Sequence, residues 1–101
     1  MQILRITRGK IRPGTWDQFE KALHQSVQKV GHVPGLISRS LARDLNDPDQ
    51  GYSLSVWESL EAAENYEKSE LAKIVTPQLQ TFFTGDYRSD HCEIRYWETK
   101  A

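Results

Sequence analysis

The chain of 101 residues has a single cysteine, no long apolar run and no excess of either charge. Each absence closes a class. Cys92 alone cannot form an internal disulfide, which suits a reducing cytoplasm. A membrane helix needs roughly 20 consecutive apolar residues, and no run of that kind occurs, so no membrane partner is expected. Thirteen Lys and Arg against fourteen Asp and Glu leave a net charge of −1 without a basic stripe, so nucleic acid is not an expected partner. Strand-like alternation begins at once in Met1-Gln2-Ile3-Leu4-Arg5 and leaves no room for a signal peptide. Also missing are a Gly-rich phosphate loop, a Ser-His-Asp order and any ligand-pair spacing among His24, His32, His91 and Cys92. No metal or other cofactor is expected.

What is present describes one globular domain over residues 1–101, with three Trp, four Tyr and three Phe to build a core. Residues 2–8 alternate as a first strand, Leu4 and Ile6 on one face and Ile3, Arg5 and Thr7 on the other. Residues 9–14 read as a connector. Thr15 and Gln18 fit a capping box, and Trp16, Phe19, Leu23, Val27 and Val30 follow at helical steps until Gly31 and Pro34. Residues 36–45 form a second strand, with Ile37 and Leu41 expected on the side shared by Arg39 and Arg43. After the Asp47-Pro48-Asp49-Gln50-Gly51 turn, residues 52–57 form a third. Ser59 caps a helix with Leu60, Ala63 and Tyr66 along one side. A second start at Ser69 carries Leu71, Ile74 and Val75, and Pro77 is expected to kink or restart that helix. Residues 87–97 form the last strand, with Cys92, Ile94 and Tyr96 opposite His91, Glu93, Arg95 and Trp97.

The order is therefore β-α-β-β-α-β, an α+β ferredoxin-like fold with both helical regions on one face of a four-stranded antiparallel sheet. The other face would expose apolar residues from several strands, more than the roughly 300–600 Å² patch usual on a monomer. Sheet-to-sheet packing of a homodimer is the expected remedy.

The Pro34-Gly35 lead-in, the strand ending Val56-Trp57-Glu58-Ser59, and Glu61-Ala62-Ala63 followed by Tyr66 and Ser69 resemble the antibiotic biosynthesis monooxygenase domain family. The resemblance spans roughly residues 2–98 and implies a dimeric α+β barrel. It implies oxygenation of a phenol or quinol without metal, flavin or haem, the deprotonated substrate itself passing an electron to O₂ in a dry aromatic slot. Phenol-oxygenating members carry a Trp at the end of strand three, an Asn four residues before it and a Tyr six residues after. Trp57 matches, whereas Ser53 and Ala63 stand at the other two positions. Haem-degrading members carry an Asn, a Trp and a ligating His where this chain has Thr7, Tyr66 and Thr76, so that branch loses its iron ligand.

Each candidate has a plainer reading beside it. Trp57 is the wall of a ligand slot or a core anchor, and Ser53 and Ser55 on its face leave space and hydroxyls beside the indole. Arg5 and Thr7 point towards the helices, where Arg5 holds an anion or bridges to a helix carboxylate; Arg39 has the same ambiguity. His91 is a general base for a phenolic proton or simply a hydrogen-bonded strand histidine. Tyr66 contacts a ligand or belongs to the core. The function expected is a cofactor-independent monooxygenase acting on a small quinol-like or phenolic aromatic and O₂. The alternatives are a non-catalytic ligand-binding or stress-response dimer and, less favoured, haem binding.

Overall fold

The computed structural model describes residues 1–85 and 87–100, with Ile74 described in its backbone alone, so the core role expected of its side chain lies outside the described residues. The elements are β1 (Ile3–Lys10), α1 (Trp16–Val30), β2 (Leu36–Arg43), β3 (Gln50–Trp57), α2 (Leu60–Glu67), α3 (Glu70–Gln80) and β4 (Arg88–Glu93). The strands form one antiparallel sheet in the order β2-β3-β1-β4, open at both edges. This is the expected ferredoxin-like α+β arrangement, its second helical region divided in two. No described helix is long and apolar enough to cross a membrane.

The division follows from local chemistry. Ser59 Oγ accepts from the Ala62 N–H at 3.1 Å, and Ser69 Oγ accepts from the Ala72 N–H at 3.2 Å. Each serine satisfies a donor that a helix start leaves without an intrahelical partner, so each begins a helix. The restart lies at Ser69, and α3 runs through Pro77. Thr15 behaves otherwise: its hydroxyl donates to the Arg12 carbonyl at 2.7 Å and caps nothing, so the expected capping box does not form.

Three further expectations are corrected. β1 extends to Lys10, and Ile11, only 1% exposed, makes an isolated bridge to Phe83, so the connector is confined to residues 12–14. Gly9 lies where a Cβ would run into the Phe83 ring. In β2, a register shift between Leu36 and Ser38 turns Ile37 out to 46% exposure, away from Arg39, Leu41 and Arg43. The last strand ends at Glu93, leaving Tyr96 and Trp97 exposed beyond it.

Two apolar clusters fill the space between helices and sheet. One gathers Ile3, Val30, Val33, Trp57 and Ala63, with Tyr66 and Val75 against it. The other gathers Ile11, Trp16 and Phe19, with Leu41, Leu79, Phe82 and Phe83. Between them the inner face of the sheet turns polar.

Candidate functional site

The pairing of the strands lays the site out in rungs. Trp57 stands opposite Ile3 on one side and Leu36 on the other, closing the first cluster. One rung on, His91, Arg5, Ser55 and Arg39 line up across β4, β1, β3 and β2. The next rung is Ser89, Thr7, Ser53 and Leu41. Strand periodicity of two puts both rungs on the face that Trp57 occupies. β3 therefore offers the helices a large indole followed by two small serines, and helix side chains packed at either end do not reach into the gap.

The gap is two adjoining cavities. One, of about 110 Å³, is lined by Arg5, Arg39, Ser53, Ser55, Trp57 and Tyr66, with Val30 and Val75 above. The other, of about 130 Å³, is lined by Arg5, Thr7, Ser53, Phe19, Leu79 and Phe83, among others. Arg5, Leu23, Ser53, Thr76 and Leu79 belong to both walls, so the two make one slot. A larger open groove of about 470 Å³ lies on the other side of Tyr66, along Val33, Gly35, Ala62 and Asn65. The slot is taken as the candidate because Arg5, Arg39, Ser53 and Ser55 converge on it between apolar walls.

The indole of Trp57 packs on Tyr66, ring centroids 5.5 Å apart, and its N–H donates to Ser55 Oγ at 2.8 Å. Trp57 is 2% exposed and belongs to the core, and one face of it lines the cavity. At the β4 end, Glu67 from α2 brings one carboxylate oxygen 2.6 Å from Arg5 Nε and 2.7 Å from His91 Nε2. The Arg5 contact is an ion pair rather than a well-directed hydrogen bond, since the buried Nε–H finds no aligned acceptor. Thr7 Oγ1 and Ser89 Oγ share a hydrogen bond of 2.8 Å on the neighbouring rung.

The slot thus brings together Arg5, Thr7, Ser53, Ser55, Trp57 and Tyr66. His91 does not line it. Its imidazole reaches the site through Glu67, on the same rung as Arg5. The helix carboxylate that pairs with Arg5 is Glu67, which follows the fully buried Ala63 by four residues on the same helix face. Arg39 is the other residue given too little weight, since the bulge after Leu36 fixes its place beside Ser55.

The fold recurs among solved structures. SnoaB from Streptomyces nogalater, described as a cofactor-independent oxygenase and solved as its N63A mutant, superposes with a TM-score of 0.84 at 13% identity, covering 98% of each chain. Rv0793 from Mycobacterium tuberculosis gives 0.81 at 13% identity, covering 98% of this chain and 100% of that one. A conserved protein from Methanosarcina mazei Go1 gives 0.82 at 14% identity over 91% of both. At such identities the likeness speaks for the fold alone. No curated protein matches the chain in sequence. Residues 2–75, which hold β1, the whole Trp57 strand and most of the helices above the slot, match the antibiotic biosynthesis monooxygenase family model, and the chain belongs to that family.

Proposed function

We propose that the chain is a cofactor-independent monooxygenase acting on a small phenolic or quinol-like aromatic. The observation that carries this reading is the slot between the two core clusters, walled by Trp57 and Tyr66 and floored by Ser53 and Ser55 with two guanidinium groups beside them. Burial of an electron-rich ring there would exclude water, and a cation beside the phenolic oxygen favours its ionised form. The phenolate then passes one electron to O₂. Superoxide and the phenoxyl radical combine at a ring carbon bearing hydrogen, and loss of that proton with cleavage of the O–O bond leaves a carbonyl and water. Hydroquinone plus O₂ gives hydroxyquinone plus H₂O, the ring supplying all four electrons.

In this reading Arg5 supports the anion, Thr7 and the serines hydrogen-bond the ring substituents, and the phenolic proton passes towards His91 by way of the Glu67 carboxylate that Arg5 and His91 both contact. The active species is a homodimer packed sheet to sheet, working in the cytoplasm, where the unpaired and exposed Cys92 is at home.

The test is O₂ consumption with hydroquinone and its methyl- and carboxyl-substituted relatives. The expected result is protein-dependent uptake of one O₂ per ring, with one atom of ¹⁸O₂ in the product and no H₂O₂, the product that spontaneous autoxidation releases. Uptake at the buffer rate across the panel would overturn the reading. One observation favours the second reading, a binding module without turnover: Glu67 already occupies Arg5 and His91. That reading predicts saturable binding of the same compounds with no oxygen uptake.

A further inference from the structure

We propose that Arg39 and Ser55 form an anion subsite at the β2 end of the slot, so that the ligand is a single aromatic ring bearing a carboxylate. The inference rests on the reading of the slot as an aromatic site and adds a substrate class to it. Arg5, Ser55 and Arg39 are direct partners across three strands, and both arginines line the cavity of about 110 Å³. Strand spacing of roughly 4.8 Å sets their backbones about 10 Å apart, with Ser55 midway. Two cations facing one partly buried space need compensation. Arg5 has it in Glu67, 2.6 Å away. Arg39 does not: among the described residues no carboxylate comes within ion-pair distance of it, and its Cζ lies 5.8 Å from the centroid of the Tyr66 ring. The cavity at that end therefore offers a half-exposed cation, set over the Tyr66 ring and paired with no described carboxylate, to which a ligand anion can bind.

Ser55 supplies the second donor. Its oxygen already accepts the Trp57 N–H at 2.8 Å, which leaves its own hydrogen to point at a ligand, and the residue is only 8% exposed. A guanidinium fork and one hydroxyl suit the two coplanar oxygens of a carboxylate. The space sets the remainder of the molecule. A cavity of roughly 150 Å³ holds one benzene, and the adjoining cavities measure about 110 and about 130 Å³, so the joined slot has room for one substituted ring. With the carboxylate at Arg39, the ring extends towards Phe19, Leu79 and Phe83, and its far hydroxyl reaches the Arg5 and Thr7 side.

The test compares 2,5-dihydroxybenzoate with 2,5-dihydroxybenzamide, which keeps ring and hydroxyls but carries no charge. Both are titrated anaerobically by calorimetry against the wild-type chain, Arg39→Gln and Arg39→Lys. A charge-assisted bond is worth about 1.5–3 kcal/mol, so the acid is expected to bind roughly tenfold to a hundredfold tighter than the amide. Arg39→Gln should remove that advantage while leaving amide affinity within twofold, and Arg39→Lys should restore part of it. Equal affinity of acid and amide for the wild type overturns the subsite but leaves the aromatic slot standing, and so does an Arg39→Gln loss shared by both ligands. Binding of neither compound overturns the slot together with the subsite. If Arg39→Gln fails to fold, the wild-type comparison still decides.

Discussion

Glu67 sets one carboxylate against both Arg5 and His91, with three-quarters of its own side chain buried. Replacing it by Gln keeps the shape and removes the charge, leaving Arg5 uncompensated. Because the pair is partly hydrated, the expected cost is about 1–2 kcal/mol in chemical denaturation. Unchanged stability would mean that Arg5 finds water as good a partner. Gly35 is a backbone case. Its φ of +81° is one that L side chains rarely adopt, and an added Cβ would lie 2.5 Å from the Ala62 Cβ. Gly35→Ala should therefore cost about 1–3 kcal/mol by strain and by displacing α2. Asp47 gives a dependence on pH. The Asp49 N–H first, then the Lys10 ammonium at 3.0 Å, hold its carboxyl below the ordinary 3.8. A depressed folded value adds stability that is complete above the unfolded value and lost as pH falls through the folded one. The stability gap between wild type and Asp47→Asn should thus close in acid below about pH 4; a gap constant from pH 7 to pH 2 would contradict it.

At the scale of elements, β3 decides where the slot lies. Its inward residues run Gly51, Ser53, Ser55, Trp57, and the ring of Trp16 covers Gly51 while the indole of Trp57 fills the other end. Only the serines leave room. Ser53→Leu should fill the space between Leu41, Leu79 and Phe83, abolishing ligand binding while keeping a cooperative thermal transition. Retained affinity would place the ligand elsewhere, in the groove beside Gly35. This part of the site was legible beforehand, because alternation in a strand is a period-two signal that local sequence carries complete. The pairing of Arg5 with Glu67 was not, since it depends on how α2 crosses the sheet, and β1 and α2 lie far apart along the chain. The bulge at Ile37 escaped for a similar reason: one extra residue leaves the hydrophobic pattern plausible on either side, and only pairing with β3 fixes the parity. Thr15 shows the limit of motif reading, its hydroxyl having found the Arg12 carbonyl instead of a helix N–H.

At the scale of the whole molecule, the helices cover one face of the sheet, and the other carries Leu4 and Ile6 from β1 and Tyr52 and Leu54 from β3, all half-buried, Val56, already buried within the single chain, and the side chains of β2 and β4 that share their parity. That face is less uniformly apolar than the pattern suggested. β2 contributes Ser38, Ser40 and Ala42, and Asp90 on β4 approaches both Arg8 and Arg88. The apolar centre is therefore a stripe along β1 and β3 with a polar border on each side, and the proposed homodimer would place that stripe at its centre. Two copies stacked across that stripe should sediment at twice the 11.7 kDa of one chain. Leu54→Glu sets like charges against each other at the centre of the stack and should yield single chains. A wild-type chain that stays single at tens of micromolar would refute the stack. The slot lies on the opposite face of the sheet, between it and the helices. The Leu54→Glu chain should therefore still bind an aromatic acid with nearly wild-type affinity, so that assembly and ligand binding separate in one variant. Joint loss of dimer and binding, with the fold retained, would mean instead that the sheet holds the rungs of Arg5 and Ser55 in register only when a second sheet presses on it.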